Sequence, residues 1–377
     1  MRVLALVPYP TAGPSNRLRV EQYLPWLAQQ GISAEMRPFF SSAAYQRLYE
    51  PGARRRKIAQ TTAGLLRRCT DLVRAARADV VVVQREALPL GTALVERLIA
   101  RLGRPLIFDF DDAIYLDNGS AANRWSRRFK RAEKTAEIIR CSAHVIAGNQ
   151  TLAEYARRFH PGVTVIPTPV DTDRVAPRPT STAHDEVVIG WMGSPTTGEY
   201  LRLVQEPLVR LMLRYPHARV RIVGAPQPPL TLPRVEGVAW RLDREVDELR
   251  SFDIGIMPMP DNEWTRGKCG FKALLYMSAG LPVVASPVGV NADIVRDGVT
   301  GFTAADAEAW TNRLAQLIED RPLRRRMGLA GRALVEERYA LRRQAPRFID
   351  VLHRAFTGET TPHIAPRTEE TITACAS

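Results

Sequence analysis

The sequence predicts an α/β protein made of two doubly wound domains that face each other across a cleft. At 377 residues, the chain is about twice as long as a typical domain. Continuous apolar stretches alternate with stretches of helical periodicity, which is typical of parallel strands buried on both faces. A stretch rich in Pro, Ser and Thr at 171–186 interrupts the alternation, which then restarts. We therefore predict a first domain over 1–170, a linker over 171–186 and a second domain over 187–340.

Strands and helices are expected to alternate from the N-terminus of the first domain. The opening run VLALVPYP is too short for a signal-peptide core and continues into a Pro/Gly loop, so we interpret it as a core strand. Helices are expected around 17–30, 91–102, 121–140 and 150–159, and strands at 3–10, 79–84, 105–112, 143–149 and 163–171.

The second domain repeats this arrangement and ends in several helices. Its strands are expected at 187–194, 219–224, 238–241, 253–260 and 282–286, and its helices around 198–215, 243–250, 270–279, 291–297, 305–319, 321–337 and 341–356. The stretch 357–377 has little periodicity, so we expect a disordered tail there. Ligands of such domains bind beyond the carboxyl ends of the strands, which places the expected site in the cleft.

Positive charge is concentrated in the first half of the chain. The net charge is +13, and residues 1–180 hold 28 basic and 16 acidic residues. Two clusters stand out, one at Arg54–Lys57 and one from Arg124 to Lys134. Such a face suits an anionic surface, a membrane leaflet or nucleic acid, although a merely solvated face stays open. Nucleic acid is disfavoured because no binding motif is present and only Trp125 and Phe129 interleave with the charges.

The remaining composition indicates a cytoplasmic protein. The four cysteines, Cys69, Cys141, Cys269 and Cys375, are far apart and form no C-x-x-C pair, so we expect reduced thiols rather than a zinc site. The sequence contains no apolar run long enough for a membrane-spanning helix. We expect the protein in the cytoplasm, with peripheral attachment to the inner face of the cell membrane as an option.

The stretch RGKCGFKALLYMSAGLPVVAS at 266–286 contains two of the chain's five lysines, against 48 arginines in total. Gly267 and Gly270 are expected at the start of a helix that follows the strand at 253–260, where free backbone N–H groups attract anions. Lys268 and Lys272 are four residues apart, which predicts one helical face. Arg266 can add a third charge, so the stretch predicts a diphosphate site rather than a solvated basic face.

The segment KCGFKALLYMSAGLPVVASPVGVNADIVRDGVTGF at 268–302 resembles the nucleotide-sugar-binding segment of family 4 glycosyltransferases. These enzymes have the GT-B fold, with two Rossmann-like domains facing a cleft. The stretches at 13–17, 166–171 and 189–195 are similar to further parts of that family, and 108–115 is similar to a signature of a polysaccharide-biosynthesis branch with a K-C-G-F-K variant.

The resemblance implies a retaining transfer of sugar from a nucleotide-sugar to a hydroxyl acceptor, without a cofactor or an active-site metal. It also implies that the helix at 341–356 crosses back to the first domain. Together with the basic first half, it favours a lipid-linked or glycan acceptor in cell-envelope polysaccharide assembly. A transferase that acts on a soluble metabolite stays open.

The sequence departs from the family at two positions that are usually glutamate. Gly267 and Leu275 stand there, and in relatives the second glutamate holds the donor ribose. A basic residue that relatives keep near 194–200 is also missing, so we expect Lys268 and Lys272 to take the phosphate role. Ribose contacts would then fall to backbone groups, Asn291 or Asp293. The alternative is a catalytically impaired relative that serves as a partner protein.

The expected site residues fall into three groups. Asp109, Asp111 and Asp112 follow a buried strand and are expected to orient the acceptor hydroxyl or the sugar. Asp109 and Asp111 also match a D-x-D metal motif of a different glycosyltransferase fold, but we predict no metal site. The donor side is assigned to Gly193, Ser194, Pro195, Arg266, Lys268, Lys272, Leu275 and Asn291. The acceptor or phosphate loop is assigned to Gly13, Ser15 and Arg17, with Asn149 beside it.

Overall fold

The computed structural model describes residues 1–47, 54–89, 91–116, 133–177 and 186–359, with the side chain of Arg54 excepted. It contains two α/β domains, each with a six-stranded parallel sheet. The expected fold class of two doubly wound domains is confirmed. Most of the predicted helix at 121–140, the second half of the linker and nearly all of the tail lie outside the described residues. No described helix is both long and apolar enough to cross a membrane.

The first sheet has the order β2-β1-β3-β4-β5-β6. Its strands are β1 (Arg2–Val7), β2 (Ser33–Pro38), β3 (Val80–Gln84), β4 (Leu106–Phe110), β5 (His144–Ala147) and β6 (Val163–Val165). Its helices are α1 (Pro14–Arg19), α2 (Leu24–Gln29), α3 (Ser42–Arg47), α4 (Arg54–Ala75), α5 (Leu94–Arg101), α6 (Lys134–Cys141) and α7 (Gln150–Arg157). The central strands β3, β4 and β5 are buried along their whole length, as their continuous apolar sequences predict.

The second sheet has the order β12-β11-β10-β7-β8-β9. Its strands are β7 (Val187–Met192), β8 (Ala218–Val223), β9 (Val235–Val238), β10 (Ile254–Met257), β11 (Val283–Ala285) and β12 (Gly301–Thr303). The helices that follow β7 are α8 (Pro195–Gly198), α9 (Gln205–Arg214), α10 (Glu245–Arg250), α11 (Glu263–Arg266), α12 (Phe271–Ser278), α13 (Asn291–Ile294), α14 (Ala307–Glu319), α15 (Arg321–Leu334) and α16 (Leu341–Thr357).

Several elements differ from the sequence predictions. The helix expected over 17–30 is divided into α1, a 3₁₀ turn at Glu21–Tyr23 and α2, which has a proline in its first turn. That proline has no backbone N–H to continue the preceding helix. The sequence analysis did not predict β2, α3, α4 or β12. Strand β2 is a half-exposed edge strand of mixed polarity, and β12 has three residues, so neither carries a clear apolar signal.

The first part of the expected linker packs against the second domain. Val175 is fully buried in the core of that domain, and Arg332 donates hydrogen bonds to the carbonyl oxygens of Val175 and Thr172. Residues 171–177 of the predicted linker are therefore packed on the second domain, through the Val175 side chain and backbone carbonyl groups.

Helix α16 packs on the first domain although it follows the second. Phe348, Val351 and Leu352 share an apolar core with residues of β1 and β3. The Phe348 ring stacks on Tyr23 with 4.5 Å between ring centroids. The chain therefore connects the two domains twice, and the carboxyl ends of β3 and β4 come to face segments that follow β7 and β10.

Candidate active site between the two domains

A small pocket lies at the carboxyl ends of β7 and β10, on the second-domain side of the cleft. Its wall is made of apolar side chains with two lysines among them: Trp191, Thr197, Tyr200, Met257, Pro258, Met259, Lys268 and Lys272. Such a combination of apolar walls and a few convergent charges is typical of small-ligand sites.

Lys272 lies in the first turn of α12, and its Nζ is 5.6 Å from the centre of the Trp191 ring. Among the described residues, no carboxylate pairs with it. Burial and the nearby charge of Lys268 lower the pKa of Lys272 to about 8. Gly193 makes room for this side chain, because a Cβ at Gly193 would lie 2.6 Å from Lys272 Cε. The pocket therefore holds a cation that has no counter-ion within the described part of the chain.

Lys268 reaches the same pocket from the loop before α12, and so the expectation that both lysines share one helical face is wrong. Gly270 has a left-handed backbone with φ of +65° and begins the helix only after Lys268. The two lysines converge through this turn. Lys268 Nζ lies 3.4 Å from Oδ1 of Asp112 in the first domain and 5.1 Å from the centre of the Trp264 ring.

Two carboxylates of the first domain, those of Asp111 and Asp112, lie just beyond β4, and that of Asp112 contacts Lys268. Asp111 accepts hydrogen bonds from Ser15 Oγ, 3.0 Å from each of its carboxylate oxygens, and Gln84 Nε2 donates to Ser15 Oγ at 2.7 Å. Burial and the charge of Asp112 raise the pKa of Asp111. Burial opposes ionisation of Asp112 as well, but the charges of Lys268 and Arg85 outweigh it and hold that pKa below its usual range.

Arg85 is a site residue that the sequence analysis missed. It follows β3 directly, and its Nη1 lies 2.8 Å from Asp112 Oδ2 and 3.8 Å from Asp111 Oδ1. Its φ of +62° is a left-handed conformation, which no other described non-glycine residue adopts. Such backbone strain persists where the surroundings hold it in place. The signal in the sequence is its position after a buried strand at the cleft edge of the sheet.

The two domains are joined directly beside the lysines. Asn149 Nδ2 donates to the carbonyl oxygens of Gly267 at 2.9 Å and Lys268 at 3.0 Å, while its Oδ1 caps α7 by accepting from Leu152 N. The Cys269 thiol donates to the Asp111 carbonyl oxygen at 3.1 Å. Asn149 was expected to touch ligand, but its side chain is occupied by these contacts, since the donor-side loop packs against the end of β5.

The chain's two halves match known protein families separately. Residues 27–174 match the family model described as Glycosyltransferase Family 4, and residues 186–320 match the model described as Glycosyl transferases group 1. The protein is a glycosyltransferase with the GT-B fold. A search of curated protein sequences with this chain found no match.

Solved structures similar to this glycosyltransferase share its fold at low sequence identity. Sucrose-phosphate synthase from Thermosynechococcus elongatus is 16% identical with a TM-score of 0.66, over 95% of this chain and 100% of the other. HepE of Anabaena, solved in complex with UDP and glucose, is 15% identical with a TM-score of 0.64, over 94% and 99%. A glycosyltransferase from Rickettsia africae is 13% identical with a TM-score of 0.67, over 96% and 99%.

The Asp109 side chain of the glycosyltransferase is enclosed by the protein and does not line the cleft. It is fully buried in an ion pair with Arg19, whose Nε lies 3.0 Å from Asp109 Oδ2 and whose Nη1 donates to the Ile166 carbonyl oxygen at 2.7 Å. A catalytic contact by Asp109, which the sequence suggested, does not fit this arrangement. The reason is that β4 ends before Asp111, and Asp109 is still enclosed by the sheet and α1.

Arg17 also has a different setting from the one expected. Its guanidinium lies 5.0 Å from the centre of the Trp240 ring, and its Nη2 is 3.5 Å from Glu245 Oε1, both in the second domain. Arg174 and the Trp240 indole N–H contact the same Glu245 carboxylate. Arg17 thus joins the domains at the edge of the cleft rather than lining the lysine pocket.

Three other residues assigned to the donor side, Arg266, Leu275 and Asn291, do not line the pocket. Arg266 is exposed and pairs with Asp261, 2.6 Å from Nε to Oδ1, so it adds no charge to the pocket. Leu275 is buried in the apolar core behind the pocket. Asn291 is buried beside Gly270, and its Oδ1 accepts no hydrogen bond from any described residue.

The remaining loop residues frame the two sides of the cleft. Ser194 and Pro195 begin the short helix α8 beyond Gly193, with Ser194 exposed. Gly13 begins α1 in close contact with Tyr9 and Asn16, where an added Cβ would lie within 3.0 Å of both. Among the described residues, no group of three or more His, Cys, Asp or Glu side chains is arranged to hold a metal ion.

Proposed function

We propose that this glycosyltransferase moves a sugar from a nucleoside diphosphate sugar to a hydroxyl acceptor, with retention of anomeric configuration. The observation that carries the proposal is the convergence of Lys268 and Lys272 on one pocket, with Lys268 in contact with the carboxylate of Asp112 and with Asp111 next to it in the sequence. Two cations there would stabilise a leaving diphosphate as it gains negative charge, and the carboxylates beyond β4 could orient an attacking hydroxyl.

The donor diphosphate would bind against the lysines and the N-terminus of α12. Lys272 supplies a cation that no described carboxylate pairs with, and the loop at Gly193, Ser194 and Pro195 borders the same space. The N–H groups at the start of α12 add a partial positive charge. Support for a uridine nucleotide comes from HepE, which was solved with UDP and with UDP-glucose.

Ribose recognition would differ from the family pattern. Leu275 has neither charge nor exposure with which to hold hydroxyl groups. Asn291 retains a buried acceptor oxygen without a partner among the described residues, next to the start of α12. Because an unpaired buried acceptor is unfavourable, we assign it a ribose hydroxyl as partner in the donor complex.

Donor binding would exchange the partner of Lys268. In the structure this ammonium group contacts Asp112, and a diphosphate in the pocket would attract it more strongly because it carries more charge. Asp112 would then keep Arg85 as its partner and could accept a hydrogen bond from the acceptor hydroxyl. The lysines would stabilise the leaving diphosphate while the closed cleft excludes water.

The acceptor is proposed to be lipid-linked or a glycan of cell-envelope polysaccharide, met at the cytoplasmic face of the membrane. The support is the +12 charge of residues 1–180, which would attract an anionic leaflet. A soluble acceptor is the competing option, and it predicts that turnover needs no lipid.

Thermal unfolding with UDP, GDP, ADP, dTDP and their sugar conjugates tests the donor site. A ligand at a hundred times its Kd adds roughly 2.7 kcal/mol of stability if it binds only the folded state. We expect one nucleotide to raise the midpoint in the wild type and in Arg266→Ala, but not in Lys268→Ala. Arg266 is the matched control because it is a neighbouring cation outside the pocket.

Two results would contradict the donor site. One is an equal shift in Lys268→Ala and the wild type. The other is no shift with any nucleotide in a folded sample, which would favour the catalytically impaired partner protein, with Leu275 as its cause.

A further inference from the structure

Helix α4 turns polar residues toward the protein and most of its large apolar residues outward, although Leu72 and Ala75 near its C-terminus pack into the core. Its inward face carries Arg68, only 2% exposed, which pairs with Asp71 and donates to the carbonyl oxygens of Val7 and Ala87. Gly64 is also inward, and an added Cβ there would lie 2.5 Å from the Phe39 ring. A helix on a soluble surface normally turns its apolar residues inward and its charges outward.

The outward face of α4 is correspondingly apolar. Ile58, Leu65, Leu66 and Val73 are 58%, 45%, 65% and 60% exposed. Together with Thr62 and Cys69, these residues recur every three or four positions, so they lie on one face of the helix. They form one stripe, which is about 22 Å long at the rise of an α-helix. We call the residues Ile58, Thr62, Leu65, Leu66, Cys69 and Val73 the α4 stripe.

Cations surround the N-terminal end of the stripe. Residues 54–57 are RRRK, and Arg55 and Arg56 are exposed, with no acidic residue in the first turn. Positive charges are unfavourable at the N-terminus of a helix, where the helix dipole is already positive. At the other end of the stripe, Arg74 is half exposed beside Val73 and pairs with Glu35 at 3.1 Å. An external anion at the N-terminus of α4 would stabilise the exposed Arg55 and Arg56.

We propose that the α4 stripe lies in the interface of an anionic membrane, with its apolar side chains among the acyl chains and Arg55 and Arg56 at the headgroups. An exposed apolar face flanked by cations is the pattern of helices that lie in the plane of a membrane surface. An acidic protein partner could form ion pairs with the cations, but it would leave most of the apolar side chains of the stripe exposed to water. This proposal rests on the proposed function in one respect: binding to the membrane would bring the enzyme to a lipid-linked acceptor.

Co-sedimentation of the full chain with vesicles tests the apolar part. Wild type is expected to bind vesicles of phosphatidylcholine mixed with phosphatidylglycerol and to bind phosphatidylcholine alone at least about tenfold more weakly. Leu66→Glu is expected to weaken binding to the mixed vesicles by about tenfold or more. Leu213→Glu is the matched control, because Leu213 is a leucine of α9 in the other domain with 72% exposure.

The charged part is tested by reversal of two arginines. The double variant Arg55→Glu, Arg56→Glu is expected to lose binding to mixed vesicles, whereas Arg325→Glu, Arg326→Glu in α15 keeps it. Both pairs are adjacent exposed arginines on helices, so overall charge changes equally. The shift in the thermal unfolding midpoint that the nucleotide causes is measured on the same samples and shows that the variants are folded. This second measurement also separates failure of the membrane proposal from failure of the donor site.

Three results would overturn the proposal. The first is no binding of wild type to either vesicle. The second is equal loss of binding in Leu66→Glu and Leu213→Glu. The third is a concentration-dependent dimer that Leu66→Glu abolishes without any vesicle binding, which would assign the stripe to a second copy of the chain.

Discussion

Lys268 of the second domain lies 3.4 Å from the carboxylate of Asp112 in the first, so a single ion pair crosses the cleft at the proposed donor site. Both side chains are mostly shielded from water, at 17% and 22% exposure. The same carboxylate holds Arg85 at 2.8 Å. In the proposed donor complex, Asp112 would therefore compete with the donor for Lys268 while Arg85 still holds it, which would couple donor binding to the contact between the domains.

Replacement of Asp112 by Asn is expected to separate donor affinity from turnover. Loss of the competing carboxylate frees Lys268, so the nucleotide should bind about two- to fivefold more tightly. Turnover should fall by about tenfold or more, since the acceptor hydroxyl loses its orienting partner. Calorimetric titration and a sugar-transfer assay measure the two quantities. Asp261→Asn, which removes the surface partner of Arg266, should change neither, and weaker nucleotide binding in Asp112→Asn would contradict the competition.

Donor affinity is expected to fall as pH rises through about 8. Burial lowers the pKa of Lys272 to about 8, so the free enzyme loses this cation above that pH. A bound diphosphate favours the protonated lysine, and binding above pH 8 must therefore take up a proton. The Kd should rise by about tenfold between about pH 7 and about pH 9.5.

Lys272→Arg is the control for the pH dependence, because a guanidinium stays charged over this range. Its Kd should vary little with pH, whatever its absolute value. A wild-type profile as flat as that of Lys272→Arg would show that Lys272 does not set the affinity.

Gly193→Ala is expected to weaken donor binding by about tenfold or more. A Cβ at this position would lie 2.6 Å from both Lys272 Cε and the Trp191 ring, so the lysine must leave its place over the indole. The crowding should also lower the free energy of unfolding by about 1–3 kcal/mol. Gly198→Ala in the adjacent α8 is the matched control, since its Cβ would meet only ordinary contacts at 3.7 Å or more. Equal nucleotide affinity in the two variants would argue against the role of Gly193.

Asp109→Asn is expected to reduce stability rather than catalysis. The substitution leaves the Arg19 guanidinium buried without its counter-ion, which should lower the free energy of unfolding by about 3–5 kcal/mol. Chemical denaturation measures this loss, and nucleotide affinity of the folded fraction should stay within about twofold. Asp79→Asn, at a more exposed ion pair with Arg2, should cost much less. A stable Asp109→Asn variant with abolished turnover would restore the catalytic assignment.

The sequence located the two lysines and both carboxylates of the proposed site, because glycines and charges after buried strands have a local meaning. It also assigned Asp109 to the site, but that carboxylate is enclosed with Arg19. It placed Arg266 with the lysines, but the side chain turns outward to Asp261. It did not identify Arg85, Trp240 or Glu245, since no spacing rule relates Arg85 to Asp112, 27 positions away, or Trp240 and Glu245 to Arg17, more than two hundred positions away. It also missed α4, because most of its large apolar residues face outward rather than toward the core.

The sequence by itself determined the two doubly wound domains and the lysine-rich entry to α12, because apolar periodicity and glycine positions act over a few residues. Only the tertiary structure decided which charges are available. It enclosed Asp109 with Arg19, set Asp112 against Lys268 across the cleft, and left Lys272 without a counter-ion among the residues that the structure describes. The physical reason is that the energy of a charge depends on its burial and on partners within a few ångströms, and these partners come from distant parts of the chain.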